Sequence, residues 1–244
     1  MAGQLLPPQR FAAGLAWEGV DHESGQAGDI RFKQYAIGHI DFAMANGLIL
    51  DKVVIHHPEQ AGDRDISLAD RLTALSRLCK PPVVEKISEF EPHAGEVYIL
   101  GPTTPTRREL AHLLYGRFKL DFCTLVHPTA YVSPLATLSQ GVFVGANSAI
   151  APGVQLGSHV FVNRGVTIGH DTRIGDFSRV QPGSHMGSLS KIGEGVTVGL
   201  GATIIERLHI GDNVTIGAGA VVLEDVPANV LVAGVPAKFK KSLA

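Results

Sequence analysis

A histidine followed by an aspartate, His170-Asp171, is the pair in this chain best suited to moving a proton. An ionised carboxylate accepts the Nδ1 hydrogen of the ring, which fixes the tautomer and leaves Nε2 as a base. An imidazole with an ordinary pKa of about 6.5 can abstract a proton close to neutral pH. The pair interrupts a pattern. In I-G-H-D-T-R-I-G-D, residues 168–176, it stands where neighbouring copies carry Pro152-Gly153, Glu194-Gly195 or Asp212-Asn213.

The pattern has a period of six. Stepping from Val126 through Val132 and Leu138 to Ile216 and Val222 meets seventeen residues, all aliphatic or, at 186, methionine, with no insertion. Four residues after each lies a small or β-branched residue, with Leu208 the bulky exception. The two residues between are turn formers such as Pro182-Gly183 and Ala218-Gly219, and Gly and Asn tolerate the positive φ of a tight corner. Each hexad therefore reads as a short strand followed by a corner, and three hexads close an eighteen-residue triangular coil. Stacked coils bury the large aliphatics in a central column, as a lone hexad cannot. Positions eighteen apart share an edge, so His170 stacks with Pro134, Pro152, Ser188, Glu206 and Glu224, its side chain pointing outward. Arg179, nine residues on, is half a coil away and faces away from it. The histidines 159, 185 and 209 read as exposed solenoid side chains, and His127 as structural.

Residues 1–120 lack the hexad and read as a small α/β domain, Rossmann-like, with a β-helix over 121–227 and a tail over 228–244. Ser67-Leu68-Ala69-Asp70 is a capping box opening a helix with Leu68, Leu72, Leu75 and Cys79 on one face. Val53-Val54-Ile55 and residues 96–101 read as strands. Thr106-Arg107-Arg108-Glu109 opens a second helix carrying Leu110, Leu113 and Leu114. Alternation of strand and helix suggests a parallel sheet. The first thirty residues have no assignable element.

The chain has 244 residues and a formal charge of −2, so no basic excess argues for nucleic acid as partner. Cys79 and Cys123 lack metal-ligand spacing and fit two free thiols in a reducing compartment. The start, M-A-G-Q-L-L-P-P-Q-R, has no long apolar core behind a basic stretch, so no signal peptide is expected. No apolar run reaches the length of a membrane span. The expectation is a soluble cytoplasmic protein.

From Leu125 to Lys238 the chain resembles the sugar O/N-acetyltransferases that modify sialic acids and bacillosamine-type nucleotide sugars. The matching stretches include T-L-V-H-P-T-A (124–130), N-R-G-V-T-I-G-H-D (163–171), K-I-G-E-G-V-T-V-G-L-G-A (191–202) and A-G-V-P-A-K (233–238). Y-I-L-G-P-T-T-P-T-R-R-E-L (98–110) resembles the last element of that family's N-terminal domain. The resemblance implies an α/β N-terminal domain followed by a left-handed parallel β-helix of hexapeptide repeats. It also implies acetyl transfer from acetyl-CoA to a sugar or nucleotide-sugar hydroxyl or amine, without a metal. His170 would be the general base and Asp171 would raise its basicity. A homotrimer is implied, with acetyl-CoA in the groove between adjacent β-helices. The positions matching the family's CoA contacts are Ser188, Leu200 and Ala218, and Lys238, Lys240 and Lys241 could meet CoA phosphates. The family residue that matches Arg179 is usually a histidine near the thioester, so the chain departs there, and Asn163 would position the acceptor. The chain departs from the family in having no Gly-rich loop after an opening strand, Ile37-Gly38-His39 being a poor substitute. Three other readings share the β-helix: an acyl-carrier-protein-dependent sugar N-acyltransferase, a γ-class carbonic anhydrase and a non-catalytic scaffold. The histidine spacings do not supply the zinc ligands of the second.

Overall fold

The computed structural model describes residues 10–14, 45–46, 49–55, 67–77, 80–94, 96–101, 107–120 and 122–243. The chain divides into two units, Met1–Phe122 and Cys123–Ala244. Cys79, Thr106, Ile37-Gly38-His39 and most of the first thirty residues lie outside the described residues.

In the first unit four strands, β1 (Arg10–Gly14), β2 (Ile49–Ile55), β3 (Val83–Lys86) and β4 (Val97–Leu100), form a parallel sheet in the order β3-β2-β1-β4. The first thirty residues, left without an element on sequence, thus supply a central strand, and β3 is a further strand the sequence did not announce. Helix α1 (Leu68–Leu75) starts at the expected capping box. The Asp70 N–H donates to Ser67 Oγ at 3.0 Å, and the Ser67 N–H donates to Asp70 Oδ2 at 2.9 Å. The Ser67 hydroxyl, which donates to Asp70 Oδ2 at 2.6 Å, and the Ser67 N–H together hold the Asp70 carboxyl below its ordinary value. Leu75 is buried, with Leu68 and Leu72 half-buried on the same face. Helix α2 (Arg107–Phe118) buries Leu110, Ala111 and Leu114, but Leu113 is 45% exposed. The expected apolar face therefore holds only in part, because three positions after Leu110 the helix surface has already turned towards solvent.

One buried cation knits this unit. Lys52 is 6% exposed, and its Nζ lies 3.4 Å from Glu85, 3.3 Å from Glu96 and 5.3 Å from the centre of the Phe90 ring. Glu96 also accepts from the Tyr98 hydroxyl at 2.6 Å and from the His93 N–H at 3.1 Å. Burial acts to raise the Glu96 pKa, but the bonds from Tyr98, His93 and Lys52 outweigh it and the value falls below 4.5. Burial and the same carboxylate raise the Tyr98 phenol.

The second unit is a parallel β-helix. Seventeen two-residue strands run from Leu125–Val126 to Val221–Val222, and each of the first fourteen pairs with the strand eighteen residues on. The first face carries strands starting at 125, 143, 161, 179, 197 and 215, the second those starting at 131, 149, 167, 185, 203 and 221. The third carries those starting at 137, 155, 173, 191 and 209. The second residue of each strand points inward. Val144, Ile150, Val162, Val180, Ile210 and Ile216 have no exposed surface, whereas Val126 and Leu138, in the first coil, are half-buried. Buried side chains of this size each contribute about 1.5–3 kcal/mol.

Small hydroxyls among the inward residues are satisfied by the coil above. Ser148, Thr172, Ser178 and Ser184 donate to the carbonyls of Asn163, Gly187, Gly193 and Gly199 at 2.8, 3.0, 2.7 and 2.8 Å. Such pairing removes the cost of burying an unmatched polar group.

At each corner from Gly141 to Gly219 the second residue takes positive φ. Glycine or asparagine usually fills this slot, but His159, Asp171, Phe177, Leu189 and Arg207 hold it at 57–64°. His159, expected to be exposed, is 4% exposed. Its ring stacks on Phe177, with centroids 4.9 Å apart and planes 15° from parallel, and lies over Gly141. A bare glycine in the coil below makes the space that a histidine would otherwise seek in solvent. The expected tail is ordered as well. Val230–Ala233 pairs in parallel with the strand starting at 215, and Lys238–Ser242 returns antiparallel to it.

Replacing Lys52 with alanine should cost about 3 kcal/mol or more, since two carboxylates would be left without their buried cation, and denaturant titration of the first unit reads this. The depressed Glu96 carboxyl gives stability that is complete above about pH 4.5 and lost as pH falls through its folded value. The Lys52→Ala variant should therefore lose stability less steeply on acidification. In the second unit, a Cβ at Gly141 would stand 2.7 Å from the His159 Cε1. Gly141→Ala should cost about 2–4 kcal/mol, combining left-handed strain with overpacking, as read by chemical denaturation.

Candidate active site

His170 and Asp171 form one corner between the second and third faces. The strand Thr167–Ile168 leads into this corner and Arg173–Ile174 leads out of it, so both flanks are fixed by ladders. The backbone clamps the corner from both sides. The Asp171 N–H donates to the Pro152 carbonyl below at 3.0 Å, and the His170 carbonyl accepts from the Leu189 N–H above at 2.9 Å. His170 Nδ1 lies 2.8 Å from Asp171 Oδ2, with the side chains 55% and 58% exposed. An ionised carboxylate only accepts, so Nδ1 carries the hydrogen and Nε2 holds the lone pair. The arrangement can take a proton from a group approaching the corner from outside.

Ser188 occupies the same corner position in the coil above and is half-buried. The structure thus brings His170, Asp171 and Ser188 together on one edge. The edge between the first and second faces holds a separate group. Leu200 and Ala218 occupy exposed corner positions in consecutive coils there, and Asn163 leads into a lower corner of the same edge. The Asn163 Oδ1 accepts from the Arg164 N–H at 2.8 Å, and its amide reaches Gln181 at 3.5 Å.

Arg179 lies on the first face, across the prism from the corner of His170. Its outward column reads Phe143, Phe161, Arg179 and Thr197, with the two phenylalanine rings stacked at 4.6 Å. Arg179 Nε donates to Thr197 Oγ1 at 2.9 Å. Burial pushes its pKa down to about 10, which leaves it charged at neutral pH. Within one chain, then, neither Arg179 nor the group of Asn163, Leu200 and Ala218 can reach His170.

Lys238 lies on the antiparallel return strand, and its Nζ pairs with Glu224 Oε1 at 2.8 Å. The bond and charge of Lys238 lower the Glu224 carboxyl. Sequence placed Glu224 on the edge of His170 but gave no sign of this partner, because the return strand breaks the six-residue period. Lys240 and Lys241 are exposed on the same strand. His185 is exposed and shares a 2.8 Å bond with Thr167 Oγ1, His209 is exposed, and His127 caps a turn against Thr129 at 2.8 Å. Among the described residues no group of three His, Cys, Asp or Glu side chains is arranged to hold a metal ion.

The family described as bacterial transferase hexapeptide (six repeats) matches residues 165–200 and 189–224, and the hexapeptide repeat of succinyl-transferase matches 140–170. The repeats of the second unit are thus similar to those of hexapeptide-repeat bacterial transferases. Among solved structures, the acetyltransferase domain of PglB from Neisseria gonorrhoeae, in complex with acetyl coenzyme A, is 25% identical. The match covers 96% of this chain and 100% of that one, with a TM-score of 0.72. Perosamine N-acetyltransferase from Caulobacter crescentus, in complex with CoA and GDP-perosamine, is 22% identical over 99% of this chain and 100% of that one, TM-score 0.72. WeeI from Acinetobacter baumannii is 17% identical over 95% and 100%, TM-score 0.71. These similarities span both units, so the α/β unit and the hexapeptide-repeat domain recur as a pair. No curated protein matches the chain significantly.

Proposed function

We propose that this protein is an acetyltransferase that moves the acetyl group of acetyl-CoA to an amine of a sugar or nucleotide sugar, with His170 as general base. The observation that carries the reading is the 2.8 Å contact between His170 Nδ1 and Asp171 Oδ2 on an outward corner of a hexapeptide-repeat domain. The similar PglB domain binds acetyl coenzyme A, and the perosamine enzyme binds CoA with a sugar nucleotide.

Transfer proceeds directly. The acceptor nitrogen attacks the thioester carbonyl carbon while His170 Nε2 takes its proton. Backbone N–H groups near the corner stabilise the oxyanion. The C–S bond then breaks, and the imidazolium returns the proton to the departing thiolate, giving free CoA and the N-acetyl product. Asp171 steadies the ring in both charge states. A hydroxyl acceptor would react in the same way.

The two groups of residues on different edges of one prism support an assembly. A homotrimer in which the edge of His170, Asp171 and Ser188 meets the edge of Asn163, Leu200 and Ala218 from a second copy would enclose the thioester between them. Arg179 would contribute from that second copy, and Lys238 would reach CoA phosphates only by leaving Glu224. The first unit fits a nucleotide-sugar acceptor. Its order β3-β2-β1-β4 reverses between β1 and β4, and open parallel sheets bind ligands beyond the carboxyl ends of the strands at such a point. Those ends are Gly14 and Leu100. No helix among the described residues is long and apolar enough to cross a membrane, and Cys123, whose thiol burial raises to about 11, suits a reducing cytoplasm.

His170→Ala should lower acetyl transfer by roughly 10²–10⁴-fold with an unchanged melting temperature. The measurement is thiol release from acetyl-CoA with a panel of nucleotide-linked amino sugars, and near-normal turnover in the variant would refute the assignment. Sedimentation equilibrium of the active protein should give three chains, and a fully active monomer would contradict the shared site.

A further inference from the structure

Asp171 holds a left-handed backbone, φ 58°, and its carboxylate is folded down over the coil below. It lies in the space that a side chain on Gly153 would fill. A Cβ there would overlap Oδ1 of Asp171 and stand 3.1 Å from its Cγ. Gly153 is itself left-handed, φ 71°. The same packing recurs where His159 lies over Gly141. By contrast, the left-handed glycines 183, 201 and 219 on the neighbouring edge have nothing within 4 Å of such a Cβ. The gap at Gly153 is thus occupied by one carboxylate, whose other oxygen, Oδ2, sits 2.8 Å from His170 Nδ1.

We propose that Gly153 is a positioning residue for the dyad: its missing side chain seats Oδ1 of Asp171, which aims Oδ2 at His170 Nδ1 and holds the ring with Nε2 unprotonated. The effect on turnover rests on the acetyltransferase reading, whereas the seating of the dyad is independent of it. The backbone clamp from Asp171 to Pro152 places the Asp171 Cα. It does not choose the rotamer, and the vacancy at Gly153 does.

Two alanine variants separate this role from backbone strain. Gly153→Ala and Gly183→Ala put a Cβ on left-handed residues with φ of 71° and 68°, but only the first meets Asp171. Gly153→Asn serves if alanine impairs folding, because Asn147 and Asn213 occupy the same corner slot at 58° and 55°. Nitrogen-15 NMR of the imidazole, at a pH where the ring is neutral, reads the tautomer of His170 without any substrate. The Nδ1–H form should dominate in the wild type and in Gly183→Ala. It should give way to the Nε2–H form in Gly153→Ala, Gly153→Asn and Asp171→Ala.

With acetyl-CoA and a nucleotide-linked amino sugar, Gly153→Ala should lower kcat about 10–100-fold while leaving KM for acetyl-CoA unchanged. Added to Asp171→Ala it should cost nothing further, since both act through one carboxylate. Persistence of the Nδ1–H form in both Gly153 variants, or its equal loss in Gly183→Ala, overturns the proposal. If the tautomer shifts as expected while His170→Ala keeps full turnover, the seating stands and the acetyltransferase reading fails.

Discussion

Everything in the second unit depends on one constraint, the fixed offset of eighteen residues between hydrogen-bonded coils. Each strand donates upward, as from Gly169 to Met186 at 2.9 Å, and each corner donates downward, as from Asp171 to Pro152. Because the two sets of bonds run in opposite directions, no coil can slide without breaking both. A side chain at a corner is therefore located by the chain above and below it more firmly than by its own neighbours in sequence. A surface loop could place the same histidine and aspartate beside one another, but it would leave them many alternatives.

The offset also explains how the exterior is specialised. A residue outside the column is free of packing demands, so the six-residue period leaves it open to other uses. The outward column of the first face takes two stacked phenylalanines and an arginine, while that of the third face is exposed and polar, with Thr137, Gln155, Arg173, Lys191 and His209. The corners differ again, some lined by bare glycine and others by side chains that tolerate left-handed geometry poorly. Asp171 is the mildest of these departures, since a short polar side chain can adopt that region at lower cost than Phe177 or Leu189.

The β-helix and its dyad were legible in the sequence because an unbroken period states which residue points inward, and an interruption of the turn pair is visible against it. What the period could not state was the occupancy of space between coils. Gly153 reads as an ordinary turn glycine and His159 as an exposed ring until the coils are stacked and each is seen to share one gap. In the first unit, β1 has the composition Arg-Phe-Ala-Ala-Gly, without the branched run that marks a strand, and β3 is a short exposed edge. The burial of Lys52 depends on Glu85 and Glu96 approaching from other segments, and single-chain spacing contains no trace of that.

A solenoid has an inherent hazard, for its last rung offers an unpaired ladder onto which another rung can add without limit. Here the chain doubles back after Ala233, and the terminal rung runs against the direction of all those beneath it. That rung, Lys238–Ser242, is exposed throughout and carries three ammonium groups. A further strand arriving on this face in the parallel sense finds the wrong polarity and the exposed ammonium groups of Lys240 and Lys241. On the first face, the reversal leaves an antiparallel edge where the strands below would offer a parallel one.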